Sequence, residues 1–474
     1  MNEHPIWRFV EQSQDRLIAL SDTVWGMPET CYGETRSTAA HLGELGAQGF
    51  AVTENLAGIP TAIMGQAGSG GPVIAFLGEY DALAGLSQTA DMFEYQPVQA
   101  GGNGHGCGHN LLGSASMLAA IALKNWLAET GTKGRVRYYG CPAEEGGAAK
   151  TFMVRAGAFD DVDIAISWHP DCMADVMRGS SLANCRVDFT FEGRASHAAA
   201  SPELGRSALD AAELMSVGIN YLREHMPDQA RIHSAYIDAG GISPNVVQSR
   251  AQVRYVVRGV VTADVLDLLD RVRKVAQGAA MMTETKVSDV VLAGVSNLIF
   301  NPPLAAAMQK NLERLGPPAF SDVDRAYAAR MQATMTKGNI DAAFRSHGMQ
   351  TVKGAVLGDF LVPGDALIPG LSGSTDVADV SWVVPTVQMW GANYAVGTPF
   401  HSWQMVAQGK SRAAHLGMVH AARVMAATGM DAVQDAALRS NAKAALAQAV
   451  GPDGYICPLP EGSEPPVAAM AGLA

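Results

Sequence analysis

The sequence predicts an α/β protein in which a small β-α-β-β-α-β domain is inserted into a larger sheet domain, and three observations carry this. Up to about residue 185, apolar runs rich in Val, Ile and Phe alternate with longer helical patterns, the signature of a sheet covered by helices. Near residue 185 the rhythm changes to the strict alternation of half-buried strands, and after residue 300 the first pattern returns. With 474 residues the chain exceeds the size at which one hydrophobic core keeps growing, so two domains are expected. Residues 1–185 and 300–474 form the larger one, and 186–299 the insert.

The larger domain begins its sheet with PVIAFLG at 72–78, continues through the helical stretch LLGSASMLAAIALKNWLAE at 111–129, and adds strands RVRYYGC at 135–141 and VDIAISW at 162–168. Each strand leads into a polar segment: GEYDAL, CPAEEGG and WHP. Sites in open α/β sheets form outside the carboxyl ends of the strands, so these segments converge although they are far apart in sequence. In the insert, CRVDFTFEG is a half-buried strand, SALDAAELMSVGINYLREHM an amphipathic helix, and ARIHSAYIDAG and AQVRYVVRG are two further strands. TADVLDLLDRVRKVAQGAAMMTE is a second helix, with Thr262 expected as its N-cap, and TKVSDVVLAGVSNL a last strand. That order is ferredoxin-like. VVPTVQMWG closes the large sheet and a long helical region follows from about 404. The Pro- and Gly-rich tail from about 451 is expected to loop over the surface or fray.

Composition narrows the class of function. The net charge of -12, with no basic stripe, argues against a nucleic-acid partner, because phosphate contacts need clustered Lys and Arg. No segment offers the roughly 18 uninterrupted apolar residues of a membrane span. The N-terminus, MNEHPIWRFVEQSQDRL, lacks the apolar core of a secretory signal, so the expected location is cytoplasmic. Six scattered cysteines are the opposite of a disulfide scaffold, and only Cys107 has neighbours that suggest chemistry.

Cys107 and His109 stand two apart among the glycines of GGNGHGCGHN, where thiolate and imidazole suit zinc, manganese or a similar cation. A glycine-rich turn with an incidental thiol would look the same. Glu144 and Glu145 follow a strand between Cys-Pro and Gly-Gly, so one carboxylate can bind metal while the other acts as a base; on a surface they would be a solvated pair. His169 and His401 each follow an apolar strand, and either alone reads equally as a core or surface histidine. Together, one Cys, three His and one Glu at strand ends make a set large enough for two divalent cations.

Eight segments in order, GEYDAL, HGCGHN, PAEEGG, SWHP, GRASHAA, GGISPNVV, GSTDVADVSW and TPFHSWQ, resemble the di-metal amidohydrolases that include carboxypeptidase G, aminoacylases and hippurate hydrolases. Within that family GHGCGHNLLG, STDVADVSW and HSWQ look most like the p-aminobenzoyl-glutamate branch. The resemblance implies a mixed-sheet metallopeptidase catalytic domain with an inserted dimerisation or lid domain. It also implies Cys107, His109, Glu145, His169 and His401 as ligands of two zinc or manganese ions, and Glu144 as general base. His197 would stabilise the oxyanion across a dimer interface with Asn245 beside it in substrate binding. Arg258 would grip a substrate carboxylate, with Arg250 and Arg254 as alternatives, and Ser374 would hydrogen-bond substrate. Two departures stand out. Many relatives have a ligating His where this chain has Glu79, so Asp81 is read as orienting a ligand. Asn110 and Ala84 replace the common Asp and Pro.

The expected reaction is hydrolysis of the amide of an N-acyl, first of all aroyl, amino acid, with hippurate- or auxin-type conjugates as alternatives. A nucleophilic Ser374 is disfavoured because it lacks the G-x-S-x-G elbow. A non-catalytic partner chain would usually have lost Glu144 or a ligand. The expected assembly is a homodimer through the insert, or a hetero-oligomer with a related chain.

Overall fold

The computed structural model describes residues 4–368 and 373–471. Its eleven strands are β1 (Ala51–Thr53), β2 (Ile63–Ser69), β3 (Val73–Glu79), β4 (Gly134–Cys141), β5 (Ile164–Asp171), β6 (Asp175–Val176), β7 (Ala183–Glu192), β8 (Arg231–Asp238), β9 (Arg250–Gly259), β10 (Lys286–Val295) and β11 (Thr386–Ala392). Seven of them form one mixed sheet in the order β1-β2-β4-β3-β5-β11-β6. Its centre, β4-β3-β5-β11, is parallel; β2 and β6 flank it antiparallel, and β1 pairs antiparallel with β2 at the outer edge.

The central strands are apolar on both faces because both are covered. Ile74, Phe76, Ile164, Ile166 and Trp168 point into one core, which the helices Trp7–Trp25, His109–Thr130 and Arg412–Gln434 complete. Val73, Ala75, Leu77, Tyr139 and Ala165 point into a second core under the helices Ala149–Arg155 and Val377–Val383. The helix His109–Thr130 is long and apolar enough to cross a membrane, but 83% of its most apolar window is buried inside the protein. It is the central packing helix of the first core.

The four-stranded sheet has the order β10-β7-β9-β8, all antiparallel, with the helices Ala208–Leu222 and Thr262–Thr283 packed on one face. This is the ferredoxin-like arrangement inserted into the larger α/β unit. Two local expectations differ. Val261, not Thr262, occupies the N-cap of Thr262–Thr283, without a side-chain cap; the Thr262 amide instead donates to Asn297 Oδ1. The described tail, as far as residue 471, is packed rather than frayed: Leu459 and Met470 enter the second core, and the Tyr455 hydroxyl donates to Asp379 at 2.7 Å.

Candidate metal centre

Strand order decides where the chemistry lies. β3 ends at Glu79 and leads to Asp81, β4 leads to Glu144 and Glu145, β5 carries His169 near its end, and the loop after β11 carries His401. These are adjacent parallel strands, so their carboxyl ends form one edge of the sheet. Cys107 and His109 reach the same edge from the glycine turn that opens the long central helix. Gly108 makes that turn possible: its φ is 78°, and a Cβ there would overlap the Tyr394 hydroxyl.

The side chains meet. Cys107 Sγ lies 3.3 Å from His169 Nε2, and His401 Nε2 lies 3.4 Å from Glu145 Oε2. Cys107, His109 and His169 form one group whose ligand atoms lie within 4.8 Å of one another, and Cys107, Glu145 and His401 form a second. Cys107 belongs to both. His109 Nε2 and Glu145 Oε1 are buried without a hydrogen-bond partner, a costly state unless something else satisfies them. Thiolate, imidazole and carboxylate converging on orphaned buried atoms fit the donor set of a divalent-metal site.

Asp81 braces this arrangement from behind. Its Oδ1 lies 2.8 Å from His109 Nδ1, and its Oδ2 accepts from the Glu145 amide at 2.9 Å. With Nδ1 engaged, Nε2 is the ring nitrogen turned to the cluster. The carbonyl of Pro170 engages His169 Nδ1 at 2.9 Å in the same way.

The adjacent carboxylates differ. Burial, with Glu79 and Glu145 adding to it, pushes Glu144 well above the usual carboxylate range. Burial also works against the charge of Glu145, but the bond with His401 and the charge of His109 hold it at about 2. The two neighbours are pushed in opposite directions, the separation expected of a ligand beside a proton carrier. The loop that bears them is held under strain: Ala143 and Ala148 flank it at φ 57° and 51°, and His401 has φ 56°. Glu34, fully buried, accepts from the amides of Tyr32 and Ala143 at 2.9 Å, and Tyr32 donates to Gly147 at 2.8 Å.

Comparison with known proteins decides the family. The peptidase family M20/M25/M40 matches residues 75–397. The chain belongs to that family. Across 97% of its length and 98% of the relative's it is 44% identical to one of the two p-aminobenzoyl-glutamate hydrolase subunits of Escherichia coli. It is 31% identical to the other subunit of that hydrolase, over 56% of this chain and 64% of that one. A dinuclear metal-binding M20 peptidase of Bacillus subtilis shares the fold, with a TM-score of 0.56 at 17% identity over 90% of this chain and 99% of that one. This M20 chain is therefore a metal-dependent amidohydrolase.

Not every candidate residue of the M20 chain enters the cluster. His197 is exposed, and its Nδ1 accepts from the amides of Ala199 and Ala200 at 3.2 and 3.1 Å, which leaves a proton on Nε2 to donate. Asn245 is exposed too, and its carbonyl accepts from the Ala198 amide at 2.9 Å. Both belong to the rim of the inserted domain. Arg258 and Ser374 do meet, Nη1 to Oγ, at 2.8 Å. Arg250 is paired with Asp238 at 2.7 Å and Arg254 with Asp188 at 2.7 Å, so neither is spare.

Sequence reasoning missed three supports. Glu34 precedes an ordinary helix and carries no local signal. Lys150, fully buried, bridges Glu79 Oε1 at 2.6 Å and Asp376 Oδ1 at 2.5 Å. Glu79 stands out in the sequence only as a departure, yet its other oxygen lies 3.3 Å from His109 Nε2 and it groups with His109 and Glu144. A glutamate where relatives ligate with His was itself the available signal. The motif around Ser374 anchors the fold through its acids: Asp379 accepts from the Ser296 amide and hydroxyl at 3.0 and 2.8 Å, where the insert rejoins the large domain.

Proposed function

We propose that Cys107, His109, Glu145, His169 and His401 hold two divalent ions, zinc or manganese, and that the chain hydrolyses the amide of an aroyl-glutamate of the p-aminobenzoyl-glutamate kind. The observation that supports this best is the pair of ligand groups sharing Cys107, with Glu144 beside Glu145 and outside both. When bound, such ions make water acidic near neutral pH and polarise an amide carbonyl. Glu144 takes a proton from the attacking water and returns it to the leaving amine. Asp81 keeps His109 turned to the site, and His197 Nε2–H donates to the oxyanion of substrate bound in a neighbouring copy of the chain. The 44% identity to the E. coli hydrolase supports the choice of acyl group and amino acid.

The inserted domain supports a dimer. β8 is an edge strand, and Tyr236, Ile237, Val217 and Tyr221 are exposed on it and on the helix Ala208–Leu222. The same surface could serve a related but different chain, as the two kinds of subunit in the E. coli enzyme indicate. All six cysteines are free thiols, in keeping with a cytoplasmic location.

The test is metal analysis joined to a hydrolysis screen of N-acyl amino acids with added zinc or manganese. About two ions per chain, turnover of aroyl-glutamates and loss of that turnover in chelator are expected. Less than one ion per chain with no hydrolysis across the panel would overturn the reading, and activity undiminished in chelator would point to a nucleophilic side chain instead.

A further inference from the structure

Glu34 is a fully buried acid that the proposed mechanism leaves unused. It stands at the N-cap of the helix Thr35–Ala47, yet its side chain does not cap that helix. Instead its Oε1 accepts from the amides of Tyr32 and Ala143, both at 2.9 Å, while its Oε2 is buried without a hydrogen-bond partner. A carboxyl group is costly to bury in this way, and the two amides are what it holds there.

Ala143 begins the turn 143–148 that carries Glu144 and Glu145. It stands at φ 57°, where a residue with a Cβ is strained. Its carbonyl accepts from the amides of Gly147 and Ala148, both at 2.9 Å, so the turn closes on itself. Tyr32 holds the far end: its hydroxyl donates to the Gly147 carbonyl at 2.8 Å, and its ring would overlap a Cβ on Gly147. On another side the turn meets the insert, where a Cβ on Gly146 would overlap the Arg186 guanidinium. Tied at both ends and packed on two sides, the turn has little room to shift.

The two glutamates on it are held by different groups. Glu145 has ties of its own: its amide donates to Asp81 Oδ2 at 2.9 Å, and its carboxylate lies 3.4 Å from His401 Nε2. The Glu144 carboxylate makes no hydrogen bond or ion pair among the described residues, so its place is set by the backbone beneath it. We infer that Glu34 is a positioning residue: through the Ala143 amide it sets where Glu144 stands, while the ligand Glu145 is placed without it. Tyr32 supports the same turn from its other end. Glu34 serves here as an acceptor oxygen, a part that an amide oxygen can also play. The inference rests on the reading of Glu144 as the proton carrier.

The test compares Glu34→Gln, Glu34→Ala and Tyr32→Phe in the full, metal-loaded chain. Metal content is read by elemental analysis, exchange of the amides of 143–148 by deuterium mass spectrometry, and kcat and KM on N-benzoyl-glutamate. In Glu34→Ala the turn exchanges at least tenfold faster and kcat falls by about 10²-fold, the cost of misplacing a reacting group by roughly 1 Å. KM and metal content stay near wild type. Glu34→Gln, whose amide oxygen still accepts from Ala143, keeps the exchange and kcat close to wild type. Tyr32→Phe, missing one of the two ties, lies between them and carries the test where Glu34→Ala does not fold. Metal lost in step with activity, a fall in Glu34→Gln as large as in Glu34→Ala, or unchanged exchange of the turn in Tyr32→Phe would overturn the inference. Failure of the parent reading is separate: wild type would not turn the compound over, or Glu144→Gln would, whatever the exchange of the turn shows.

Discussion

At the carboxyl edge of the large sheet, Cys107, His109, Glu145, His169 and His401 touch one another and are held by buried partners, whereas His197 and Asn245, on the rim of the inserted domain, bond to the two neighbouring loops that carry them. The first region is stiff: Asp81, Glu34 and Tyr32 fix its loop, and non-glycine residues sit at positive φ on Ala143 and His401. The second is open, with exposed apolar side chains near it, Ile242 wholly so. A centre that must hold ions benefits from side chains placed before the ions arrive. A donor that meets a group from outside, the role proposed for His197, benefits from exposure and a fixed tautomer.

The strongest way to break this contrast lies within the stiff region. Replacing Glu144 by Gln removes a proton carrier but no member of the two groups that share Cys107. Turnover should fall by about 10²–10⁴ while metal content stays near wild type, read by steady-state kinetics and elemental analysis. Cys107→Ser should do the opposite first, lowering metal content because both groups lose their common atom. An active Glu144→Gln enzyme would move the base elsewhere, with Glu79 the next carboxylate to test.

A smaller effect reports on the support behind the centre. His347 lies between Asp171 and Asp175, 3.3 and 3.2 Å from them, and faces Trp390, whose ring also meets His169; Arg178 closes the cluster on Asp175. Burial opposes its charge, but the two aspartates raise it to about 9. A raised pKa stabilises the fold fully below the unfolded value of about 6.5, and this is lost as the pH climbs through 9. The stability difference between wild type and His347→Gln should therefore shrink by on the order of 3 kcal/mol between pH 6 and 10, measured by urea unfolding. A difference that does not vary with pH would mean the imidazole is held neutral.

How legible these two regions were in the sequence follows from their physics. Strand and helix periodicity exposed the main strands of the large sheet and the order of the insert, because both cores impose a pattern on every second or every third to fourth residue. Cys107 and His109 were visible through their glycines, and Glu144 and Glu145 through their place after a strand. Lys150, Glu34 and Arg186 were not, since a buried charge is defined by its partner: Glu79 and Asp376 lie 71 and 226 residues from Lys150. The N-cap at Val261 was misplaced by one residue for a related reason, as Asn297, 35 residues on, meets the Thr262 amide. The four positions expected to meet substrate divided likewise: Arg258 and Ser374 converge within one chain, and His197 and Asn245 do not join them.

The gentlest test asks whether the open region is completed by a second copy. If His197 acts across the interface, Glu144→Gln and His197→Ala homodimers are each impaired, but a mixed dimer contains one site with both Glu144 and a neighbour's His197. Free exchange of equal amounts makes half the dimers mixed, and one of the two sites in each is whole, so about a quarter of the wild-type rate should return. The exposed surface on β8 and the helix Ala208–Leu222 permits an independent check: charge placed at Tyr221 should weaken the dimer and lower activity together. Recovery absent despite exchange seen by native mass spectrometry would confine catalysis to one chain. His197 would then have to reach its own chain's metals by a closing movement of the inserted domain.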